Sequence, residues 1–336
     1  MHILSLPVVV LSAVASTAVI VYYFAKKTQK QEEDVYEEVG KIQELFLYPV
    51  KSMRAIKVPY IELTRIGGQY GEMRDRSFMV VNRDTNKFVS SKFERLLSII
   101  TPSIKNGTLT LENKGKTVEV VINDVVAKGD VVTQKVFGED KCEGFDCGDE
   151  VGLFIKEALN VESDMRLVYH SDSLFKQRIT ETGPQFSNVN VEGQHTIRYQ
   201  DDAPYMMMTV ESIQDLNNRI GDEEMVVERF RPSIYVSDAK AYDEDYWAKV
   251  KINNVTLTYL KPCTRCVQTL INPDTGVSNK NLQPLKELRK YRLAPGHLRQ
   301  QYKESPVLGA HFAATNGGII RIGDSVSVVR KTTYAC

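Results

Sequence analysis

The sequence predicts an α+β chain, predominantly β: two β-rich units with barrel-like sheets and peripheral helices, behind one N-terminal transmembrane helix. Three observations carry that expectation. From Lys41 onward, short runs of β-branched and aromatic residues are separated by turn signals such as Arg83-Asp84-Thr85-Asn86 and Asn113-Lys114-Gly115-Lys116, a spacing that fits a barrel or sandwich better than a doubly wound sheet. A length of 336 residues exceeds one average domain, which suggests two globular units. Finally, Ile3 to Phe24 contains no charged residue, and such a run at helical rise spans roughly 33 Å, close to a bilayer core.

That apolar run opens the chain. A cleaved signal peptide is the rival reading, because Ala13-Val14-Ala15 resembles a cleavage site, but no Lys or Arg precedes the run and it continues to Phe24. Lys26, Lys27 and Lys30 follow it, which by the positive-inside tendency leaves the remaining chain facing the cytosol. Gln29 to Val39 is charged and lacks apolar period, so it reads as a linker. The expected division is therefore an anchor at 1–25 and a charged linker at 26–39.

In the next part, 40–170, strands are expected at Ile42 to Tyr48, Ile56 to Leu63, Phe78 to Asn82, Thr108 to Glu112, Thr117 to Ile122, Val131 to Phe137 and Met165 to Tyr169. Helices are expected at Phe93 to Ile100 and Glu150 to Leu159. His170 to Gln194 is polar and reads as a long connection. The part at 171–336 has expected strands at Tyr205 to Val210, Ser233 to Ser237, Val255 to Lys261, Gly318 to Ile322 and Val326 to Val329, with helices at Glu211 to Ile220 and Gln283 to Tyr291. Trp247 and Met206 to Met208 read as core.

Composition excludes some functions. Lys plus Arg equals Asp plus Glu at 43 each, so no global basic field attracts nucleic acid. Five cysteines are too few, and odd in number, for a disulfide framework, which favours a reducing compartment.

The chemistry concentrates in Lys261 to Gly276, KPCTRCVQTLINPDTG, where a predicted strand feeds Cys263 and Cys266 and an Asn-Pro-Asp-Thr-Gly turn follows. Arg265 beside Cys266 favours a thiolate. A zinc site would need a second pair, Cys142 and Cys147, across a loop far longer than a zinc-ribbon spacing. A c-type haem would need His after Cys266, where Val267 stands, and a thioredoxin-like pair would need a helix start. A single thiolate holding a redox-active metal stays open. No GxGxxG or P-loop occurs; cations instead stand beside turns in Tyr48-Pro49-Val50-Lys51-Ser52, Arg74-Asp75-Arg76 and Arg229-Phe230-Arg231-Pro232-Ser233. Each alone reads as a surface cation, and only convergence would make an anion site. His2, His170, His195 and His297 read as surface residues, while His311 in Leu-Gly-Ala-His-Phe is either buried packing or a pocket wall.

Taken together, LFLYPVKS (Leu45 to Ser52), MRDRSFMVVN (Met73 to Asn82), FDCGDE (Phe145 to Glu150), ERFRPSIYVS (Glu228 to Ser237), CTRCVQTLINPDTG (Cys263 to Gly276) and the PVLGAHF ending at Phe312 resemble the mitochondrial amidoxime-reducing components, membrane-anchored members of the MOSC (molybdenum cofactor sulfurase C-terminal) family. The resemblance runs from about Gly40 to the C-terminus. It implies a MOSC-type β-barrel at 171–336 and a smaller β-rich MOSC N-terminal domain at 40–170, whose first strands, 40–80, must reach the barrel if Lys51, Ser52 and Arg76 are to share a pocket with Cys266. It further implies that Cys266 ligates molybdenum and that Lys51, Ser52, Arg76, Arg231, Thr264 and Arg265 hold the molybdopterin and its phosphate. Asp202, Ala203, Ser233 and His311 occupy further pterin-contact positions, where the chain departs from family residues: hydroxyl side chains, an Asn and a Tyr respectively. Cys263 has no implied role. The implied reaction is reduction of amidoximes and hydroxylamines to amidines and amines, with electrons from NADH through a b5-type cytochrome and NADH-cytochrome b5 reductase at the mitochondrial outer membrane. A MOSC-type cofactor carrier or sulfur-transfer protein is the alternative, and a membrane-tethered interaction module with a structural metal a further one.

Overall fold

Alternating burial along several strands, such as Val255–Thr264 and Ser325–Arg330, curls the main sheet around one apolar interior. The structure, a computed structural model, describes residues 34–136, 141–174, 178–180, 195–294, 296 and 298–331. The expected anchor at 1–25, with His2, lies outside these residues, as do most of the linker, much of the 171–194 connection and His297. Among the described residues no helix is long and apolar enough to cross a membrane.

Seven strands close into a barrel. Glu37–Leu47 pairs with Ile234–Ser237 on one side and Ser325–Arg330 on the other, and the ring is completed through Tyr205–Thr209, Val307–Ala314, Val255–Thr264 and Trp247–Ile252. Closure leaves no exposed edge to template aggregation. Only Tyr205–Thr209 and Ile234–Ser237 run parallel within it. A parallel pair needs a crossover, and helix Val210–Ile220 supplies one, capped by Thr209 Oγ1 accepting from Ser212 N–H. Inside lie Leu45, Met207, Trp247, Leu257 and Phe312 among others; Trp247 donates its Nε1 proton to Asp243 at 2.8 Å.

A second apolar cluster sits beneath a four-stranded sheet of Phe78–Asn82, Met165–Tyr169, Lys141–Asp146 and Val131–Lys135, and a three-stranded meander, Thr101–Lys105, Thr108–Asn113 and Lys116–Val121. Helix Asp149–Leu159 buries Val151, Ile155 and Leu159 into it. Strand Glu37–Leu47 thus belongs to the closed barrel and Phe78–Asn82 to the second sheet.

Three expectations are corrected. The helix expected at Phe93 to Ile100 is a short 3-10 turn, Arg95–Ile99. Within it Leu97 and Ser98 are buried, and the cap Ile100 donates its N–H to Leu97 O, the three-residue spacing of that tighter winding, while Phe93 is 75% exposed. The strand expected at Ile56 to Leu63 is split into Ile56–Lys57 and Tyr60–Thr64, because Pro59 brings no N–H to the ladder. His170, expected at the surface, is buried: its backbone N–H is tied to Ser77 O at 2.8 Å, and its ring stands edge-on to Tyr199, 5.6 Å between centroids.

Candidate functional site: a thiol on a cation-lined cavity

Strand Val255–Thr264 loses regular register against Val307–Ala314 at Tyr259/Lys261 and again at Pro262/Thr264. Such irregularities re-aim side chains. Just beyond the strand Arg265 turns inward and is buried, whereas Cys266 is exposed. Cys266 starts the 3-10 helix Val267–Leu270, and its carbonyl accepts from Thr269 N–H (3.1 Å) and Thr269 Oγ1 (2.9 Å).

Arg265 fixes that turn. Its Nε donates to Leu308 O and its Nη1 to Phe230 O, each at 2.7 Å, and Nη2 contacts Leu308 O and, at 3.4 Å, Met206 Sδ. Gly309 makes room for it: at φ +77°, a Cβ there would lie 2.9 Å from Met206 Sδ and 3.0 Å from Arg265 Nη2.

The opposite walls carry the other cations. Lys51 is buried, donates to Tyr199 O at 2.7 Å and pairs with Asp201; burial pulls its pKa down, partly offset by Asp201. Arg76 pairs with Asp75 at 2.6 Å, and both Arg76 and Arg231 lie over the Tyr48 ring, at 4.1 and 4.2 Å. Arg231 donates to Met53 O at 2.8 Å, and burial lowers it to about 10, so it remains charged at neutral pH. Ser52, Arg76 and Arg231 have φ of 71°, 46° and 58°, left-handed conformations that non-glycine residues adopt at a cost.

A further cluster joins them. Lys261 Nζ donates to Asp202 Oδ1 at 2.6 Å, and Asp202 Oδ2 is 4.0 Å from His311 Nε2. Burial pushes His311 down to about 4, so its imidazole is neutral at pH 7. Burial works upward on Asp202, but His311 and Lys261 outweigh it and hold its carboxyl below the usual range.

All eleven candidate residues, Lys51, Ser52, Arg76, Asp202, Ala203, Arg231, Ser233, Thr264, Arg265, Cys266 and His311, line one cavity of about 140 Å³. Arg229, named among the cations beside turns, shares the wall; sequence reasoning missed Asp201, Gln268 and Thr269 there, whose signal was adjacency to residues already singled out. Cys142 packs with Met79 and Val81, and Cys263 with Phe46 and Tyr48, in separate clusters. The two cysteine pairs therefore do not build a four-thiolate site, and no group of three or more His, Cys, Asp or Glu suited to a metal occurs among the described residues.

The fold and this site place the chain in a family. Its residues 194–327 match the MOSC domain and residues 39–162 the MOSC N-terminal beta barrel domain. The chain belongs to the MOSC-domain family that includes the mitochondrial amidoxime-reducing components. It is 32% identical over 324 residues to mitochondrial amidoxime-reducing component 1 of Danio rerio, covering 96% of this chain and 94% of that protein. To component 2 of Bos taurus it is 30% identical, covering 86% and 83%, and to component 1 of Homo sapiens 31%, covering 86% and 83%.

Proposed function

We propose that the protein is a molybdenum-cofactor-dependent reductase of N-hydroxylated compounds, converting amidoximes and hydroxylamines to amidines and amines. The observation that carries this reading is the exposed Cys266 thiol on the wall of a cavity lined by the buried cation Lys51 and the half-buried Arg231. The donor set suits an anionic cofactor: Arg231 Nη2 is buried without a hydrogen-bond partner, and a phosphate offers the acceptors it lacks. The names of the relatives support the same activity and a mitochondrial location.

In this reading Cys266 ligates the metal as a thiolate, and Lys51, Ser52, Arg76 and Arg231 hold the cofactor's phosphate and pterin. Thr264, Ser233, Ala203, Asp202 and His311 bound the same space. Arg265, with its donors held by backbone carbonyls, keeps the Cys266 turn in place. Bound there, the cofactor supplies two-electron redox chemistry. For an amidoxime the N–O bond breaks, two electrons and two protons are taken up, and water leaves with the amidine. His311 is placed to exchange a proton with a group in the cavity, and Asp202, fixed by Lys261, faces its Nε2. Electrons come from NADH through a b5-type cytochrome and NADH-cytochrome b5 reductase, and the N-terminal segment anchors the chain in the mitochondrial outer membrane with the barrel facing the cytosol.

Metal and pterin analysis of the purified chain tests this, followed by turnover of benzamidoxime with both electron partners. Molybdenum and pterin near one per chain, with amidine formed, is the expected result. Zinc without pterin overturns the reading, and a loaded but inactive protein assigns the chain to the cofactor carriers.

A further inference from the structure

Next to the Cys266 cavity lies a second of about 290 Å³, sharing Arg229, Arg231 and Gln268 as a common wall. Its other walls include Arg54, Lys57, Ser91 and the Pro273-Asp274 turn. Besides Arg231 Nη2, which the cofactor's phosphate would meet, three buried polar atoms on this lining have no hydrogen-bond partner: Arg54 Nε, Ser91 Oγ and Arg229 Nε. Each can donate, and leaving buried donors unmet costs free energy.

The lining carries four cations and two carboxylates, Glu228 and Asp274, and Lys57 also pairs with Glu44 at 2.8 Å. Those carboxylates are engaged, Glu228 by Lys57 at 3.3 Å and Asp274 by Arg54 at 3.1 Å. Arg229 is balanced by Glu223 at 2.9 Å. Arg231, whose Nη1 donates to Met53 O, faces the cofactor's cavity as well. A lining with unmet buried donors calls for a ligand that only accepts.

We propose that this second cavity binds an oxyanion, a phosphate or carboxylate group, separate from the cofactor's own phosphate. Its source is either free phosphate or an anionic arm on the N-hydroxylated substrate reaching across the Arg229–Arg231 wall. The substrate-arm source rests on the function proposed above; the binding of inorganic phosphate does not.

Isothermal titration of the full-length, cofactor-loaded chain with inorganic phosphate at constant ionic strength is the test. One saturable site is expected, weakened about tenfold in Arg54→Gln and in Ser91→Ala. Ser91→Ala removes a hydroxyl with no partner, so its melting temperature without phosphate should match the wild type and separate a binding loss from a folding loss. No saturable phosphate binding, or binding that both variants leave unchanged, overturns the proposal. Binding that appears only after the cofactor is stripped also overturns it, because the site would then be the cofactor's. Kinetics distinguish the sources: a substrate arm makes Arg54→Gln raise KM for 4-carboxybenzamidoxime while benzamidoxime is unaffected, whereas free phosphate leaves the two substrates alike. If the chain reduces neither compound, the reductase reading fails while the phosphate titration still stands.

Discussion

Arg265 Nη1 donates to the Phe230 carbonyl oxygen at 2.7 Å, joining residues 35 apart in sequence. That bond ties the Cys266 turn to the loop bearing Arg231. Because Arg265 also holds Leu308 O through Nε, three chain segments meet on one planar fork, a geometry that lysine cannot reproduce.

Arg265→Lys is accordingly expected to destabilise the protein by roughly 2–4 kcal/mol, since buried hydrogen bonds to a charged group are lost and their carbonyls left unmet. Denaturant unfolding measures this. Gly309→Ala should act on the same contact from the opposite side, by crowding Arg265 Nη2 and Met206 Sδ at positive φ. Both variants should lose cofactor in proportion to the disorder of the Cys266 turn, read as molybdenum per chain.

The two cysteines should separate cleanly. Cys266→Ser is expected to lose bound molybdenum and reduce amidoxime turnover at least about hundredfold, beyond the roughly 10–100-fold cost of losing a group that merely supports a metal's ligand. Cys263 is buried against Phe46 and Tyr48, and burial pushes its thiol up to about 11, which keeps it protonated. Cys263→Ser should cost roughly 1–2 kcal/mol of stability through a buried hydroxyl, with turnover and metal content near wild type. Full activity in Cys266→Ser would remove the ligand assignment.

The cavity wall was legible because Lys51, Arg76, Arg231 and the Cys266 stretch each stand beside a turn signal, and turns gather where strands end. What brings them together was not. Val307–Ala314 is buried at all eight positions, so it lacks the alternation that marks a strand with one wet face. Trp247–Ile252 shows a similar ambiguity, because a 3-10 turn, Asp243–Tyr246, runs straight into it. The helix Ile122–Lys128 follows strand Lys116–Val121 without a break, and its Ile, Val and Val residues read locally as more strand. Barrel closure through Glu37–Leu47 is a long-range pairing that no local pattern encodes.

Glu244 makes the stability of the barrel fall as pH rises from the acid range to neutrality. It is fully buried and accepts from Thr209 Oγ1 at 3.1 Å and from Ser212 Oγ at 3.1 and 3.2 Å. Burial and the neighbouring Asp245 charge raise it to about 7. The folded chain therefore keeps a proton that the unfolded chain has released above its lower carboxylate pKa. The Glu244 contribution is most favourable below about pH 4.5 and declines by roughly 3 kcal/mol as pH rises to about 7, then levels. Glu244→Gln, an uncharged isostere, should abolish that decline in melting temperature against pH; an unchanged profile would refute the assignment.

His170 works in the opposite sense over an overlapping range. Burial first, and the Arg198 charge second, push it down to about 4. The unfolded chain protonates this histidine near pH 6.5 and the folded chain resists until about 4, so its contribution is complete above pH 6.5 and fades by roughly 3 kcal/mol on acidification. His170→Phe keeps a ring against Tyr199 and removes the titration. It should leave the protein slightly less stable at pH 7.5 but flatten the acid side of the profile, moving the acid-unfolding midpoint to lower pH. Since the Glu244 and His170 slopes oppose each other, each single variant should expose the other residue's slope more steeply than the wild type shows it. Between pH 4.5 and 6.5 the double variant should be about as flat as the wild type, where the two slopes cancel.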